Sequence, residues 1–339
     1  MHDHANTGGT SDGQCTLTQW AEGMEKLGMD YAAILDHRQS LHMYLPEWDD
    51  TVFVGGTEAA GTVTDRPAAY NFFHYNMIFA TPQQLENVLH AFPEYEFKEQ
   101  TEGEHIGEWH FNYVTFKSAR FNELITKVKE EGGFFAIPHP SVTEAQFTLE
   151  NVEDIYWFQD ETGWEVFYGY DAAHNDTQTT RDNYAMWIAL LQAGKRVWAT
   201  SGNDDHEMPA VTCLNTIYST ECKAQAHIDQ LRVGNFTAGP VGIKMCIGDT
   251  QMGGQCDFAG QRLVFGIGDI HESAWQEGYT YTVKLLKDEE VVSTWTIDGV
   301  EDFYYATDVD ATAEYYRIEI YNDTLDRLIA LGNPIWNLD

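Results

Sequence analysis

The sequence predicts an α/β barrel over residues 1–240, followed by a small all-β, sandwich-like domain over 241–339. Three observations predict it. The 339 residues exceed one minimal domain and fit a barrel of roughly 200–250 residues plus a smaller unit. As far as Gly239, short β-branched or aromatic runs alternate with helical ones, the signature of βα units. After Gly239-Pro240 the helical periodicity fades, and short strands follow one another between Gly, Asp and Asn turns.

The elements follow in order. Leu17, Trp20, Ala21, Met24 and Leu27 recur at helical spacing, and Gly28 stands where that helix would end. Strands are expected at 31–35 and 52–55, and a helix over 83–89 behind Pro82. A helix over 121–129 is closed by Gly132-Gly133; strands at 134–137 and 164–168 follow. Then come a helix around 184–191 ended by Gly194, strands at 197–200 and 213–218, and a helix over 224–233. Beyond Pro240, strands are expected at 263–267, 279–286, 291–297, 315–321 and 325–331.

Composition narrows the function classes. Acids outnumber bases 54 to 19, a formal charge of −35, which argues against nucleic acid and anionic membranes as partners. With 43% hydrophobic and 14% aromatic residues, the charge marks a solvated surface rather than disorder. No run approaches the ~20 apolar residues of a membrane helix. Five cysteines without a Cys-x-x-Cys pair read as reduced thiols, and Met-His-Asp-His lacks the basic head and apolar core of a signal peptide. A cytoplasmic location is therefore expected, although an upstream signal segment could have been removed from a chain that starts so close to its first chemical residue.

The chemistry gathers in histidines and acids. In His2-Asp3-His4 the two imidazoles share one face of an extended segment, and Asp204 and His206 do the same after the 197–200 strand. His37 follows the 31–35 strand, Glu58 the 52–55 strand and His139 the 134–137 strand, whereas Asp12 and His74 are assigned to loops. A parallel barrel brings its strand ends to one rim, so these residues converge there. Mixed imidazole and carboxylate donors fit zinc, manganese or iron. Divalent ions of this kind are the expected cofactors, and a small molecule the expected substrate. Neither a Gly-x-Ser-x-Gly elbow nor a P-loop offers another chemistry.

Two neighbours of the ligands are read as catalytic helpers. Asp36 is expected to orient a ligand, the alternative being a capping acid. Arg38 is expected to clamp an anionic substrate, the alternative being an ordinary ion pair. His42 and His174 line the pocket or are plain loop residues. Trp157, Trp164, Tyr168 and Tyr170 read as packing, with some of them able to wall the site.

His2-x-His4, Ser11-Asp12-Gly13, Asp36-His37, Gly56-Thr57-Glu58, Pro138-His139-Pro140 and Ser201-Gly202-Asn203-Asp204-Asp205-His206 together resemble the PHP (polymerase and histidinol phosphatase) domain, over about residues 1–240. Ala330-Leu331-Gly332-Asn333-Pro334-Ile335 is similar to the end of its carbaryl-hydrolase-like branch, which also carries a C-terminal β domain. The resemblance implies a distorted (β/α)7 barrel with three metal positions. His2, His4, Glu58 and Asp204 would form the first. Glu58 would bridge to the second, with His74 and His139. Asp12, His37 and His206 would form the third. The chain departs from the family's shorter His-to-Asp spacing by three residues around Gly8-Gly9, which puts the strain of the comparison on Asp12.

The resemblance implies a metal-dependent hydrolase, foremost a phosphoesterase on a small phosphorylated molecule, with a metal-bridging hydroxide as nucleophile. Three divalent ions would leave the ligand set positively charged and suited to phosphate; two ions and a hydroxide would leave it neutral. An amide, ester or carbamate hydrolase is the alternative within that chemistry. A non-catalytic scaffold whose β domain binds a partner or glycan is the alternative outside it.

Overall fold

Thr16 starts helix α1 (Leu17–Leu27) with a capping box. Its hydroxyl accepts the Gln19 N–H while the Gln19 side chain returns to the Thr16 backbone, and Gly28 at φ 68° closes the helix. Thr81 and Gln84 repeat the box at α2 (Pro82–His90), where Pro82 sits in the first turn, its missing N–H costing nothing. Helices α3 (Ser118–Glu130), α4 (Gln178–Gln192) and α5 (Ala224–Arg232) complete the five helices among the described residues. The computed structural model describes residues 2–66, 72–100, 107–142, 147–150, 152, 156–169, 178–207, 209, 213–272, 278–297 and 303–338. The fold is mixed α/β.

The first sheet is curled. It contains β1 (Ala32–Ala33), β2 (Phe53–Val63), β3 (Phe73–Phe79), β6 (Val114–Phe116), β7 (Phe134–Ile137), β8 (Thr162–Tyr168) and β9 (Val197–Gly202), while β4 (Phe97–Gln100) and β5 (Gly107–Phe111) form a separate hairpin. The order is β1-β2-β3-β7-β8-β9, with β6 beside β2. The expectation of a wholly parallel sheet is corrected at one strand: β3 runs antiparallel to both β2 and β7. The reason is chain length, since the stretch from Val63 to Phe73 is shorter than the dozen or so residues a parallel crossover needs.

Two further local expectations change. The strand expected at 52–55 runs on to Val63, so Glu58 sits within a strand rather than after it. Its glycines are packing residues. A Cβ on Gly55 would collide with Met43, and one on Gly56, at φ 149°, with the Met77 carbonyl. His74, expected in a loop, lies on β3 opposite Ala60; polar His74 and Asn76 alternate with Phe73, Tyr75 and Met77 and so disguise a half-polar strand.

The segment 2–4 joins the two ends of this sheet. Asp3 makes a parallel bridge to Ile34 on one side and to Asp205 on the other. Its N–H donates to the Ala33 carbonyl at 3.1 Å, and the His4 N–H to the Asp205 carbonyl at 2.9 Å. Behind the sheet, Phe121, Leu124, Ile125 and Val128 of α3 and Trp187 and Leu190 of α4 are buried in one apolar cluster with the strands. The spacing of these residues is the helical stripe the sequence displays.

The rest of the chain forms two sheets. One contains β12 (Val241–Ile247), β13 (Thr250–Gln251), β15 (Arg262–Ile270) and β18 (Phe303–Asp308). The other runs from β10 (Asn215–Ile217) and β11 (Phe236–Ala238) through β20 (Arg327–Asn337) and β19 (Tyr315–Asn322) to β16 (Tyr281–Lys287) and β17 (Glu290–Ile297), with β14 (Gln255–Cys256) beside β20. Ile243 and Phe265 of the first share an apolar cluster with Val283, Ile318 and Ile335 of the second. Strands β10 and β11 precede Gly239, so sheet pairing crosses that position. Asn333 ties the regions together: its Oδ1 accepts the Ala199 N–H at 2.8 Å, and its Nδ2 donates to the carbonyls of Gly234 and Phe236.

Candidate metal centre

Segment 2–4, His37 beyond β1, and strands β2, β3, β7 and β9 or the residues just after them meet at one point. The extended 2–4 segment turns His2 and His4 to the same side. The backbone of Glu58 on β2 bonds to Leu35 and Arg38, which fixes His37 beside it. Because β3 runs backwards, its first residues, His74 among them, reach the rim where β2 and β7 end. His139 follows β7, and Asp204 and His206 follow β9.

Glu58 is the hub, buried at 1% exposure. Its Oε2 lies 3.3 Å from His2 Nε2, 3.4 Å from His4 Nε2 and 2.9 Å from His37 Nδ1. Its Oε1 lies 2.6 Å from His74 Nδ1 and 3.0 Å from His139 Nε2. Asp204 Oδ1 stands 3.5 Å from His2 Nε2 and 3.2 Å from His4 Nε2. Asp12 Oδ1 is 3.2 Å from His206 Nε2, and its Oδ2 is 3.5 Å from His37 Nε2.

The three added residues near Gly8 do not carry Asp12 away. Gly8 and Gly9 both take left-handed φ, letting the loop double back. There Gln39 Nε2 donates to the Gly8 carbonyl at 3.1 Å and the Thr10 hydroxyl to the His37 carbonyl.

Three donor groups result: His2, His4, Glu58 and Asp204; His4, Asp12, His37 and His206; and His37, Glu58 and His74. The first matches the set the resemblance implies. The others differ from it: His4 joins Asp12, His37 and His206, His37 takes the place of His139 beside Glu58 and His74, and His139 approaches only through Glu58.

The donor chemistry fits divalent cations. Both ring nitrogens of His2, Nδ1 of His4, Nδ1 of His139 and Oε2 of Glu58 are buried without a hydrogen-bond partner. Each such atom costs about 1–3 kcal/mol, which a coordinated cation would offset. Electrostatics agree. Burial by itself lowers an imidazole's pKa, yet Asp204 and Glu58 overcome it and raise His4 to about 9. Glu58 and Asp12 likewise raise His37 to about 10 against its burial. Conversely, burial disfavours the ionised carboxylates, but the imidazoles hold Glu58, Asp204 and Asp12 far below the usual range. The cluster therefore attracts positive charge. Three nonglycine residues here, Arg38, His139 and Asp204, sit at φ 53°, 28° and 54°, a left-handed strain of about 1–3 kcal/mol each.

The two catalytic expectations land differently. Asp36 is fully buried and accepts from the Ala5 N–H at 2.8 Å, the Thr7 hydroxyl, Ser11 and Gln39, with His42 Nδ1 at 3.1 Å. It anchors the loop that carries Asp12. Arg38 donates to the Phe111 carbonyl at 3.4 Å and lies 4.2 Å from the Tyr113 ring, contacts on the β5 side of the rim. His42 belongs to the Asp36 anchor. Tyr170 and His174 lie outside the described residues.

Sequence reasoning missed Glu165. On β8 its Oε1 is 3.6 Å from His2 Nδ1, and its Oε2 accepts the His139 N–H at 2.7 Å. A Cβ on Gly202 would overlap it. Its signal was an acid within the buried run Trp164-Glu165-Val166-Phe167. Tyr168, read as packing, donates its hydroxyl to Asp204 Oδ2 at 2.9 Å.

No protein-family model matches the chain, and no curated protein matches it.

Proposed function

We propose that this chain is a metal-dependent hydrolase of the PHP kind, acting on small phosphoesters. One observation carries the reading: a single buried carboxylate, Glu58, stands within 2.6–3.4 Å of five imidazoles drawn from four separate stretches of chain. Segment 2–4 spans the edges of the curled sheet, which supports a seven-membered closed barrel as its architecture. When bound, divalent ions would lower the pKa of a coordinated water to about 7 and polarise the scissile group.

The residues define what the site can hold. His2, His4, Glu58 and Asp204 would grip the most buried ion, and Glu58 would reach across to the His74 and His139 side. Glu165 orients His2 and the His139 backbone; Tyr168 fixes the rotamer of Asp204. Three divalent ions would exceed Asp12, Glu58 and Asp204 by three positive charges, and Glu165 would take away one. That surplus supports a phosphoryl substrate within an acidic molecule, because the nearest charges dominate.

A second reading rests on Asp12. Its side chain is 54% exposed, which makes its group the weakest holder. With two ions the surplus shrinks, and a neutral carbamate, amide or ester suits the site better.

Elemental analysis of chain purified without chelator, combined with turnover of an aryl phosphate and an aryl carbamate, tests both. Three ions with phosphate cleavage is the expected result. Two ions with carbamate cleavage alone would replace the first reading by the second. No stoichiometric metal would overturn both in favour of a non-catalytic scaffold.

A further inference from the structure

A cavity of about 790 Å³ lies on the other side of the His2–His4 segment, between the start of β1, the chain after β9, α5 and the end of β15. Its size falls within the range of small-molecule sites, about 300–1,000 Å³. Side chains alternate along an extended segment, so while His2 and His4 face the metal centre, Asp3 lines this cavity. Asp3 is 3% exposed, and its Oδ1 has no hydrogen-bond partner.

His227, on α5, is 7% exposed, and neither ring nitrogen has a hydrogen-bond partner. Its ring stacks on Tyr31 at 4.6 Å, and the Tyr31 hydroxyl is likewise buried and without a hydrogen-bond partner. Three polar side chains in one cavity thus offer unused hydrogen-bonding capacity. Burial keeps His227 below its ordinary pKa, with Asp30 opposing, so at neutral pH it presents an acceptor nitrogen.

The lining decides the ligand's charge. It includes Asp30, Glu221 and Glu272, exposed at the mouth, and no lysine or arginine among its described residues. An anion finds no Lys or Arg to pair with among the described lining residues and meets three acids instead. A bare metal ion has no converging donor set here either, because the three donor groups found among the described residues all lie in the candidate metal centre. One face of Tyr31 is covered by His227 and one face of Tyr218 by Lys244, 3.8 Å from the ring centre and not itself lining the cavity, so only the opposite faces can take a cation. Met29, Ile217 and Ile270 add apolar wall.

We infer that this cavity is a second binding site, for a small organic ammonium compound. The acids at the mouth attract it, the aromatic and apolar walls take its body, and the unpartnered atoms of Asp3, Tyr31 and His227 accept its N–H groups or exchange hydrogen bonds with it. The inference is independent of whether the metal centre is catalytic.

Calorimetric titration of the full chain with phenethylammonium, 2-phenylethanol and phenylacetate, with and without chelator, tests it. The ammonium compound should bind about tenfold tighter than the alcohol, phenylacetate should not bind, and chelator should not abolish binding. His227→Ala should weaken the ammonium complex. The exposed pair Glu221→Gln and Glu272→Gln, which leaves the core intact, should reduce the preference over the alcohol. Equal binding of all three probes, no binding of the ammonium compound, or affinity indifferent to both sets of substitutions would overturn the inference. Loss of binding on chelation alone would also overturn it, by placing the probe at the metal centre.

Discussion

The two regions of this molecule bury charge in opposite ways. In the second sheet Arg317 is fully buried, but Glu289 meets it at 2.6 Å, Glu319 accepts from it, and the Tyr184 hydroxyl closes the group from α4. Around Glu58, acids and imidazoles are as deeply buried, yet five of their polar atoms have no hydrogen-bond partner. A satisfied buried network stabilises an arrangement; an unsatisfied one that converges on a point is a candidate binding site. The difference lies in whether each buried polar atom already has its hydrogen bond, not in how much charge is buried.

Breaking the metal side should have the largest effect. Glu58→Gln removes the one carboxylate shared by most of the imidazoles. Hydrolysis should fall by at least about 10²–10³-fold, and elemental analysis should show two ions lost together. Loss of a single ion would show that Glu58 does not bridge. On the satisfied side, Arg317→Ala leaves Glu319 buried without its cation and should cost about 3–5 kcal/mol in denaturant unfolding, with metal content unchanged. A neutral result there would remove the contrast between the regions.

Asp36 sharpens the comparison, because it is a satisfied carboxylate beside the unsatisfied cluster. Burial pushes its pKa up, but the charge and hydrogen bond of His42, the charge of His4 and the Thr7 hydroxyl outweigh burial and hold it at about 2. A group with a depressed folded pKa stabilises the fold above its unfolded value, about 3.9, and loses that contribution as pH falls through about 2. The contribution is about 2 kcal/mol. Asp36→Asn should therefore lower stability at neutral pH and flatten its dependence between about pH 4 and 2. An unchanged acid profile would show that the loop anchor is not electrostatic.

Much of the molecule was legible before folding. Gly28 as a helix stop, Pro82 ahead of α2 and Gly132-Gly133 behind α3 are local patterns; the capping boxes at Thr16 and Thr81 emerge only from the structure. The residues gathered about Glu58 were legible for a related reason: histidines and acids directly beyond apolar strands stand out against their neighbours. His74 was harder, since its strand alternates polar with aromatic residues. Glu165 was harder still, because one acid in an apolar run carries no sign of the two groups, His2 and His139, it will meet.

The sequence by itself determined which histidines and acids stand out beyond apolar strands, roughly where the helices lie and that the chain after Gly239 is built of strands, because each depends on residues close together along the chain. Only the tertiary structure decided that β3 runs backwards, that His37 serves two donor groups and that β10 and β11 join the later sheet. It alone also placed Asp3 in a cavity behind the metal centre. Those outcomes depend on which distant segments become neighbours, a choice made by burial and strand pairing over the whole chain rather than by any local pattern.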